Sequence, residues 1–466
     1  MLIDPLKPVL VILCKRPILG SGKQRIAVDL GESIALEVSR LLLDIAIEDA
    51  EAWQGEIVIS PANNADINWA KKIMPSAKII AQTGEGLGQR INNIDNEVRS
   101  LGGKSVLFIG TDSPGLNSND FKTALEVLKK KSGVFIPAND GGVILLGANT
   151  SWPNLHNLRW ETKYLHNDIK KLFQLKNRTF QDIKKGFDVD TREDLLLAYE
   201  YLVNDNRPAR KNLCNWIKYA KIKQVKKISW PPPKNTLSII IPVYKDYEEL
   251  TYLLKQIRNF KNKPNEVLVI DGSDDSDING LCKKNGVRYY KTDPCRGSQL
   301  HFGAVLAKSE ILWFLHADSE LRNDSIKLII DHLKLGNKSG YFRFKFRGLR
   351  TWYKNLLELA INFRTKFGYP YGDQGIFMLQ KNYFDAGGFA HENLFEEVSL
   401  IKNLRKVCKF RPLDAQIGVS TRRWDQDGWL KRTYRNRLLA IKFTLGVKPK
   451  KLASYYTLSN QTREND

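Results

Sequence analysis

The sequence predicts two consecutive α/β domains, each built on a mostly parallel central sheet. Three observations carry this. Short apolar runs alternate with stretches of helical periodicity through both halves. In each half one apolar run ends at a small corner bearing an aspartate, SVLFIGTDSPG at Ser105–Gly115 and ILWFLHADSE at Ile311–Glu320. Between the halves, residues 204–236 are rich in Lys, Arg and Asn and finish in SWPPPKN, whose three prolines can continue neither a helix nor an interior strand. The expected parts are a domain at 1–203, a basic Pro-containing linker at 204–236, and a domain at 237–466 with a basic aromatic C-terminal region.

In the first half Val9–Cys14, Glu56–Ile59, Val106–Ile109 and Val134–Ile136 read as strands, and Glu32–Ala52 as a helix with apolar residues at helical spacing. The helix Asp120–Lys130 has Asp120 or Asn119 as its candidate cap, and FDVDTREDLLLAYEYL reads as a strand end, a Thr/Asp cap and a helix. A basic helix fits part of the stretch before the prolines. In the second half Leu237–Val243, Glu266–Ile270, Val287–Lys291 and Ile311–Leu315 read as strands, with helices at Glu248–Asn259 and Ser298–Ala307. Such alternation implies a parallel sheet, which presents ligand sites beyond the carboxyl ends of its strands.

At 466 residues, 42% hydrophobic and 27% charged, the chain can bury two or three cores. No apolar run approaches the ~20 residues of a spanning helix. The opening MLIDPLKP lacks the basic and apolar regions of a secretory signal, so the expected place is the cytoplasm. Five scattered cysteines without a CxxC pair argue for buried thiols rather than disulfides or zinc. With 73 Lys and Arg against 51 Asp and Glu, the net charge of +22 attracts polyanions, diphosphate substrates or an anionic membrane surface among them. Nucleic acid is disfavoured, because the chain has neither an aromatic RNP-type strand nor a Cys/His finger.

The second half carries the denser chemistry. VLVIDGSDDSD brings Asp271 to a strand end, where it can accept from a nucleobase or ribose, or simply cap its loop. WFLHADS delivers Asp318, suited to a divalent cation (Mg or Mn) bridging a diphosphate, since magnesium often takes only one or two protein carboxylates. His316 reads as a corner residue more readily than as a ligand. After YPYGDQGIFML and GGFAHENLFEEVSL, Glu396 and Glu397 open a helix and can offer a base to an acceptor hydroxyl, or merely solvate a helix start. STRRWDQDGW supplies Arg422 and Arg423, forked donors suited to phosphate, or a surface stack. The stretch YFRFKFRGLRTWYKNLLELAINFRTKF, continued by Lys431–Tyr456, reads either as a membrane-surface segment or as an edge strand and amphipathic helix packed on the domain.

These motifs resemble a branch of family 2 glycosyltransferases over about Leu237–Tyr456: DGxSxD, RGxxQ, FLHAD, YGDQGxF, GGF…ED and RRW. Some members of that branch are associated with carotenoid glycosylation. The resemblance implies a glycosyltransferase-A-type fold, inverting sugar transfer from a nucleotide diphosphate donor, and a hydroxyl or carboxyl acceptor, lipid-like or carotenoid. It puts Asp271 on the nucleotide, Arg296 and Gln299 of CRGSQLHFGA in the donor site, Asp318 on the metal, and Glu397 at the base position. Here Glu397 replaces the usual Asp, His301 the usual Asn, and His316 the first acid of the wider motif, while Asp274–Asp277 crowd a loop normally richer in Gly.

In the first half CKRPILGSGKQRIA joins a strand to a glycine-containing loop with Lys15, Lys23 and Arg25, cations able to hold phosphates. GTDSPG, ANDGGVILLG and FDVDT add Asp112, Asp140, Asp188 and Asp190, while Asp194 reads as a helix cap. Together these residues could assemble a metal–nucleotide site. Over about Val9–Leu202 the order of motifs resembles the transferase family related to molybdenum-cofactor and F420-precursor nucleotidyltransferases. The resemblance implies a second nucleotide-diphospho-sugar-transferase fold, with Asp112 and Asp190 holding magnesium. Val143 and Gln24 depart from its usual aromatic and Thr. The two folds in tandem suggest a bifunctional enzyme, or a catalytic half joined to a binding module.

Overall fold

The computed structural model describes residues 2–273, 275–447, 449 and 451–452. Asp274 of the acidic loop and residues 453–456 of the aromatic tail lie outside them. The chain divides into two compact units, Met1–Lys227 and Ile228–Asp466. Both are α/β, with central sheets of mostly parallel strands.

In the first unit β1 (Val9–Cys14), β2 (Glu56–Pro61), β3 (Lys78–Ile79), β4 (Val106–Ile109), β5 (Gly133–Pro137), β6 (Val143–Ala148) and β7 (Phe180–Asp182) form one sheet, ordered β3-β2-β1-β4-β6-β5-β7. β1 to β4 run parallel, and β6 is antiparallel to both its neighbours. Side chains alternate across β1: Leu10 and Ile12 join a layer with Leu43, Ala46 and Phe121, while Val9 and Val11 join Ile91, Ile94 and Phe173. Burial on both faces explains why this strand is apolar throughout.

Several local details differ from the sequence expectation. Helix Ser118–Leu128 is capped by Asn117, whose Oδ1 accepts from the Asn119 and Asp120 N–H groups. Asp120 accepts in return from the Asn117 N–H, completing a capping box. FDVD is not a strand end; its Val189 N–H donates to the Asp112 carbonyl at 2.9 Å and ties two aspartate loops together. Part of the stretch read as a linker is a helix, Pro208–Tyr219, started by Pro in its first turn. Its Arg210 is fully buried and donates to Glu48 at 2.8 Å, to both Asp49 oxygens at 2.7 and 2.8 Å, and to the Leu116 carbonyl at 2.7 Å. A guanidinium is tolerated out of water only with such partners, so this helix is an integral layer of the first unit.

In the second unit β8 (Leu237–Val243), β9 (Glu266–Asp271), β10 (Arg288–Lys291), β11 (Ile311–Phe314), β12 (Ser319–Glu320), β13 (Ser339–Phe346), β14 (Phe377–Leu379) and β15 (Phe410–Val419) are ordered β10-β9-β8-β11-β14-β13-β15-β12. β8 to β11 are parallel, and β14 is antiparallel to β11 and β13. β13 is thus an interior strand rather than an edge, as its buried Phe342, Phe344 and Phe346 require. Helix Arg296–Leu306 lies close on the sheet because Gly303 has no side chain; a Cβ there would stand 2.5 Å from Ile240.

Candidate active site

At the carboxyl ends of β8 and β11 the second unit opens a cavity of about 370 Å³. It is lined by Arg296, Gln299, Asp318, Glu397, Arg422 and Arg423, six of the residues singled out from sequence. Each arrives differently. Asp318 follows β11 in the corner HAD. Arg296 and Gln299 come from the first turn of helix Arg296–Leu306, where the Gln299 amide donates to the Val243 and Ile270 carbonyls at 3.0 and 2.7 Å, pinning this helix to two strand ends. Arg422 and Arg423 open the short helix Arg422–Asp427.

Glu396 and Glu397 begin helix Glu396–Val407, preceded by Phe395 at φ 59°, a left-handed conformation that costs a bulky residue on the order of 1–3 kcal/mol. The two acids then part. Glu396 is wholly buried and bound by Arg296, Nε to Oε1 at 2.5 Å and Nη2 to Oε2 at 3.1 Å. Glu397 is 2% exposed, reaches the cavity, and its buried Oε2 has no hydrogen-bond partner. Burial, then the neighbouring Glu396 charge, hold the Glu397 carboxyl well above its ordinary pKa. Sequence alone paired these acids; the helix start separates counter-ion from unpaired acid.

Two other expected residues already have partners. Asp271 is fully buried at the end of β9, its carboxylate accepting from the Ser273 N–H and hydroxyl at 2.8 and 2.6 Å and from the Tyr289 hydroxyl at 3.1 Å. It is not among the residues that line the cavity. Arg422 donates to Asp246 at 3.1 Å, so one face of its fork is occupied.

Asp373 lines the cavity and was not picked out from sequence, although it sits inside the YGDQG motif. Burial, with Asp318 nearby, raises its carboxyl to about 6. Burial likewise raises Asp318, against the pull of Arg423. His316 is kept neutral, its pKa pushed down to about 3 by burial and by Arg296 and Arg423, and its buried Nε2 is unpaired. Gly372 makes room for that ring: a Cβ there would lie 2.9 Å from Nε2. Among the described residues no three His, Cys, Asp or Glu side chains gather to hold a metal by themselves.

In the first unit the loops after β1, β4 and β7 bring Lys23 between Asp112 and Asp190, Nζ to oxygen 3.2 and 2.9 Å. Lys23 adopts φ 44° as the residue before helix Gln24–Leu30. Burial works against its charge, but the two aspartates outweigh it and hold the ammonium above its ordinary pKa. Arg25 reaches Asp190 at 3.7 Å. Asp188, raised to about 6 by burial and by Asp112, Asp140 and Asp190, completes the acidic side. Lys15 is exposed and joins none of the ion pairs described for this cluster. Asp194 is the reciprocal cap of helix Arg192–Leu202, as its spacing from Thr191 indicates.

Residues 238–390 match the glycosyl transferase family 2 model, so the second unit carries a family 2 glycosyltransferase domain. Residues 43–162 match a family described as an uncharacterized protein conserved in bacteria, DUF2064. No curated protein matches the sequence. Among solved structures, one provisionally described as a nucleotide-diphospho-sugar transferase from Desulfovibrio desulfuricans is 22% identical, with a TM-score of 0.44, the match covering 47% of this chain and 97% of that one. Glucosyl-3-phosphoglycerate synthase from Mycobacterium tuberculosis, in complex with Mn²⁺, uridine-diphosphate and glucosyl-3-phosphoglycerate, is 15% identical over 44% of this chain and 79% of that one, TM-score 0.33. TarS from S. aureus is 16% identical over 40% of this chain and 36% of its own, TM-score 0.32.

Proposed function

We propose that the second unit transfers a sugar from a nucleoside diphosphate donor to an acceptor hydroxyl with inversion, Glu397 serving as base. The observation that carries this is the buried Glu397 carboxylate, its Oε2 without a partner, on the same cavity as Arg296, Asp318 and Arg423. The acceptor oxygen bonds to the anomeric carbon as the bond to the diphosphate oxygen breaks. The acceptor proton passes to Glu397, and the nucleoside diphosphate leaves against the positive charge of Arg296 and Arg423. Glu396 holds Arg296 in place, and Gln299 fixes the helix that presents it.

Asp318, with Asp373 beside it, would hold a divalent cation, because two carboxyls raised by burial gain from a positive partner. When bound, such an ion would supply positive charge toward the diphosphate. The test is release of nucleoside diphosphate from a panel of nucleoside diphosphate sugars, UDP-glucose included, with Mg²⁺ or Mn²⁺. Neither turnover nor thermal stabilisation by any donor would sink the reading.

For the first unit we infer a sugar-phosphate nucleotidyltransferase that supplies the donor, the tether keeping product near the second unit. The cluster of Lys23, Arg25, Asp112 and Asp190 supports phosphate handling. Lys23 stands between both aspartates, so a cation bound there would have to displace its ammonium. Absence of pyrophosphate release from nucleoside triphosphate and sugar phosphates would leave a binding module instead.

A peripheral place on an anionic membrane, with a lipid-like acceptor, is supported by two helices. Trp352, Leu356, Leu359 and Phe363 form an exposed stripe on helix Trp352–Phe367, and Leu430, Tyr434, Leu438, Ile441 and Leu445 another along helix Trp429–Thr444. Within the segments Arg350–Phe367 and Trp429–Leu445 the only acid is Glu358. Among the described residues no helix is long and apolar enough to cross a membrane. Flotation with anionic but not neutral liposomes is the expected result.

A further inference from the structure

Beside the polar cavity lies a second one of about 450 Å³, of different chemistry. Its walls are Phe344 and Phe346 of β13, Leu357 and Ile361 of helix Trp352–Phe367, and Ala440 and Ile441 of helix Trp429–Thr444. The two cavities share Tyr371, Asp373, Trp424 and Asn436, so the apolar chamber abuts the polar one along a mixed wall. Its size falls within the ~300–1,000 Å³ typical of small-molecule sites. The Thr433 hydroxyl on its lining is buried without a partner, an unmet polar group that a bound molecule can satisfy.

We propose that this chamber is the acceptor subsite, and that the acceptor is an apolar-bodied alcohol. The inference rests on the glycosyl-transfer reading and adds the place that holds the acceptor's apolar body. The body packs against the phenylalanine and aliphatic walls, where each buried methylene adds to affinity. The hydroxyl head passes the Asp373 wall into the polar cavity, toward Glu397. The lining carries cations as well as acids, Arg364 and Arg437 in the chamber and Arg296 and Arg423 in the polar cavity, so the choice of an alcohol over a carboxylate rests on the proton rather than on charge. The alcohol carries the proton that Glu397 is placed to accept.

The experiment measures binding of the neutral fluorophore N-phenyl-1-naphthylamine to the full chain, with 1-decanol as competitor, and sugar transfer to 1-decanol or decanoate. Ala360, also on the chamber wall, is replaced in Ala360→Trp, which fills the space from one helix; Ala440→Trp fills it from the other, should the first variant fail to fold by circular dichroism. Saturable binding, at least tenfold weaker in the filled variants and displaced by decanol, with transfer to decanol at least tenfold faster than to decanoate, is the expected result. Binding untouched by both tryptophans places the probe on the exposed helix stripes and overturns the proposal. Equal transfer to decanoate overturns the choice of alcohol. Glu397→Gln keeps probe binding while losing sugar transfer, so failure of the chamber and failure of the transfer reading give different results.

Discussion

The two units use one scaffold and end it differently. In each, three parallel strands precede a fourth that delivers an aspartate, and the next strand in the sheet runs antiparallel, β6 in the first and β14 in the second. In the first unit the ends of those strands are closed by charge: Lys23 lies between Asp112 and Asp190. In the second, Asp318, Asp373, His316 and Glu397 surround open space, and two of their buried atoms have no partner. Sheet order therefore decides where acids converge, while the loops decide whether they are spent on each other or held for a ligand. Each unit also strains one residue just before the helix at its site, Lys23 and Phe395, both left-handed.

The largest effect that can break this comparison is on catalysis. Glu397→Gln lowers sugar transfer by about 10²–10⁴-fold with the fold intact, whereas Asp190→Asn leaves transfer from added donor within about twofold. An equal loss in both, measured as nucleoside diphosphate release, would mean that the first unit serves the same reaction. Because a base acts ionised and Glu397 is held well above its ordinary pKa, kcat/KM climbs with pH through a midpoint above the usual carboxylate range. A profile already flat from pH 4.5 upward would remove Glu397 from that role.

Next in size, Arg210→Ala destabilises the first unit by about 3–5 kcal/mol, since it leaves the buried Asp49 and the half-buried Glu48 around a missing cation. Urea titration followed by limited proteolysis should show the first unit opening at lower urea and the second unmoved. If Arg210→Ala is silent, helix Pro208–Tyr219 is a linker after all.

A smaller effect compares the raised acids. Asp188 in the first unit and Asp373 in the second both rise to about 6, chiefly through burial. The folded state then binds the proton more tightly than the unfolded chain, so each contribution is most favourable below about pH 4 and is lost as pH rises toward 6. Asp188→Asn and Asp373→Asn should each raise the Tm at pH 7 and flatten its dependence between pH 4 and 6. No Tm gain in either would place these carboxyls in contact with water. Smallest, Asn117→Ala should cost about 1 kcal/mol by removing the cap of helix Ser118–Leu128. A loss below 0.3 kcal/mol would show the cap redundant with the Lys184–Asp120 ion pair at 2.7 Å.

Much of this was legible because strands buried on both faces are written as apolar runs. Val9–Cys14, Val106–Ile109 and Leu237–Val243 fall where the sequence puts them. Asp318 was legible for the same reason, being tied to the end of β11. Asp373 was missed because it follows no apolar strand: it lies in the 3₁₀ turn Gly372–Gln374, whose place beside β11 depends on pairing across more than sixty residues. Arg210 was missed because a lone arginine in a basic stretch looks like solvated charge until Glu48 and Asp49 are seen on either side.

By itself, then, the sequence determined two α/β units, the strand ends that carry Asp112 and Asp318, and the basic and aromatic character of the C-terminal helices. Those follow from local periodicity and composition, which residues near in sequence settle among themselves. Only the tertiary structure decided that Glu396 serves Arg296 while Glu397 faces the cavity unpaired, that Asp271 is satisfied internally, that Lys23 closes the first site, and that β13 is an interior strand beside an apolar chamber. The reason is physical: burial and pairing of a charge depend on groups a hundred residues away, and no local pattern records which of two adjacent carboxylates those groups will reach.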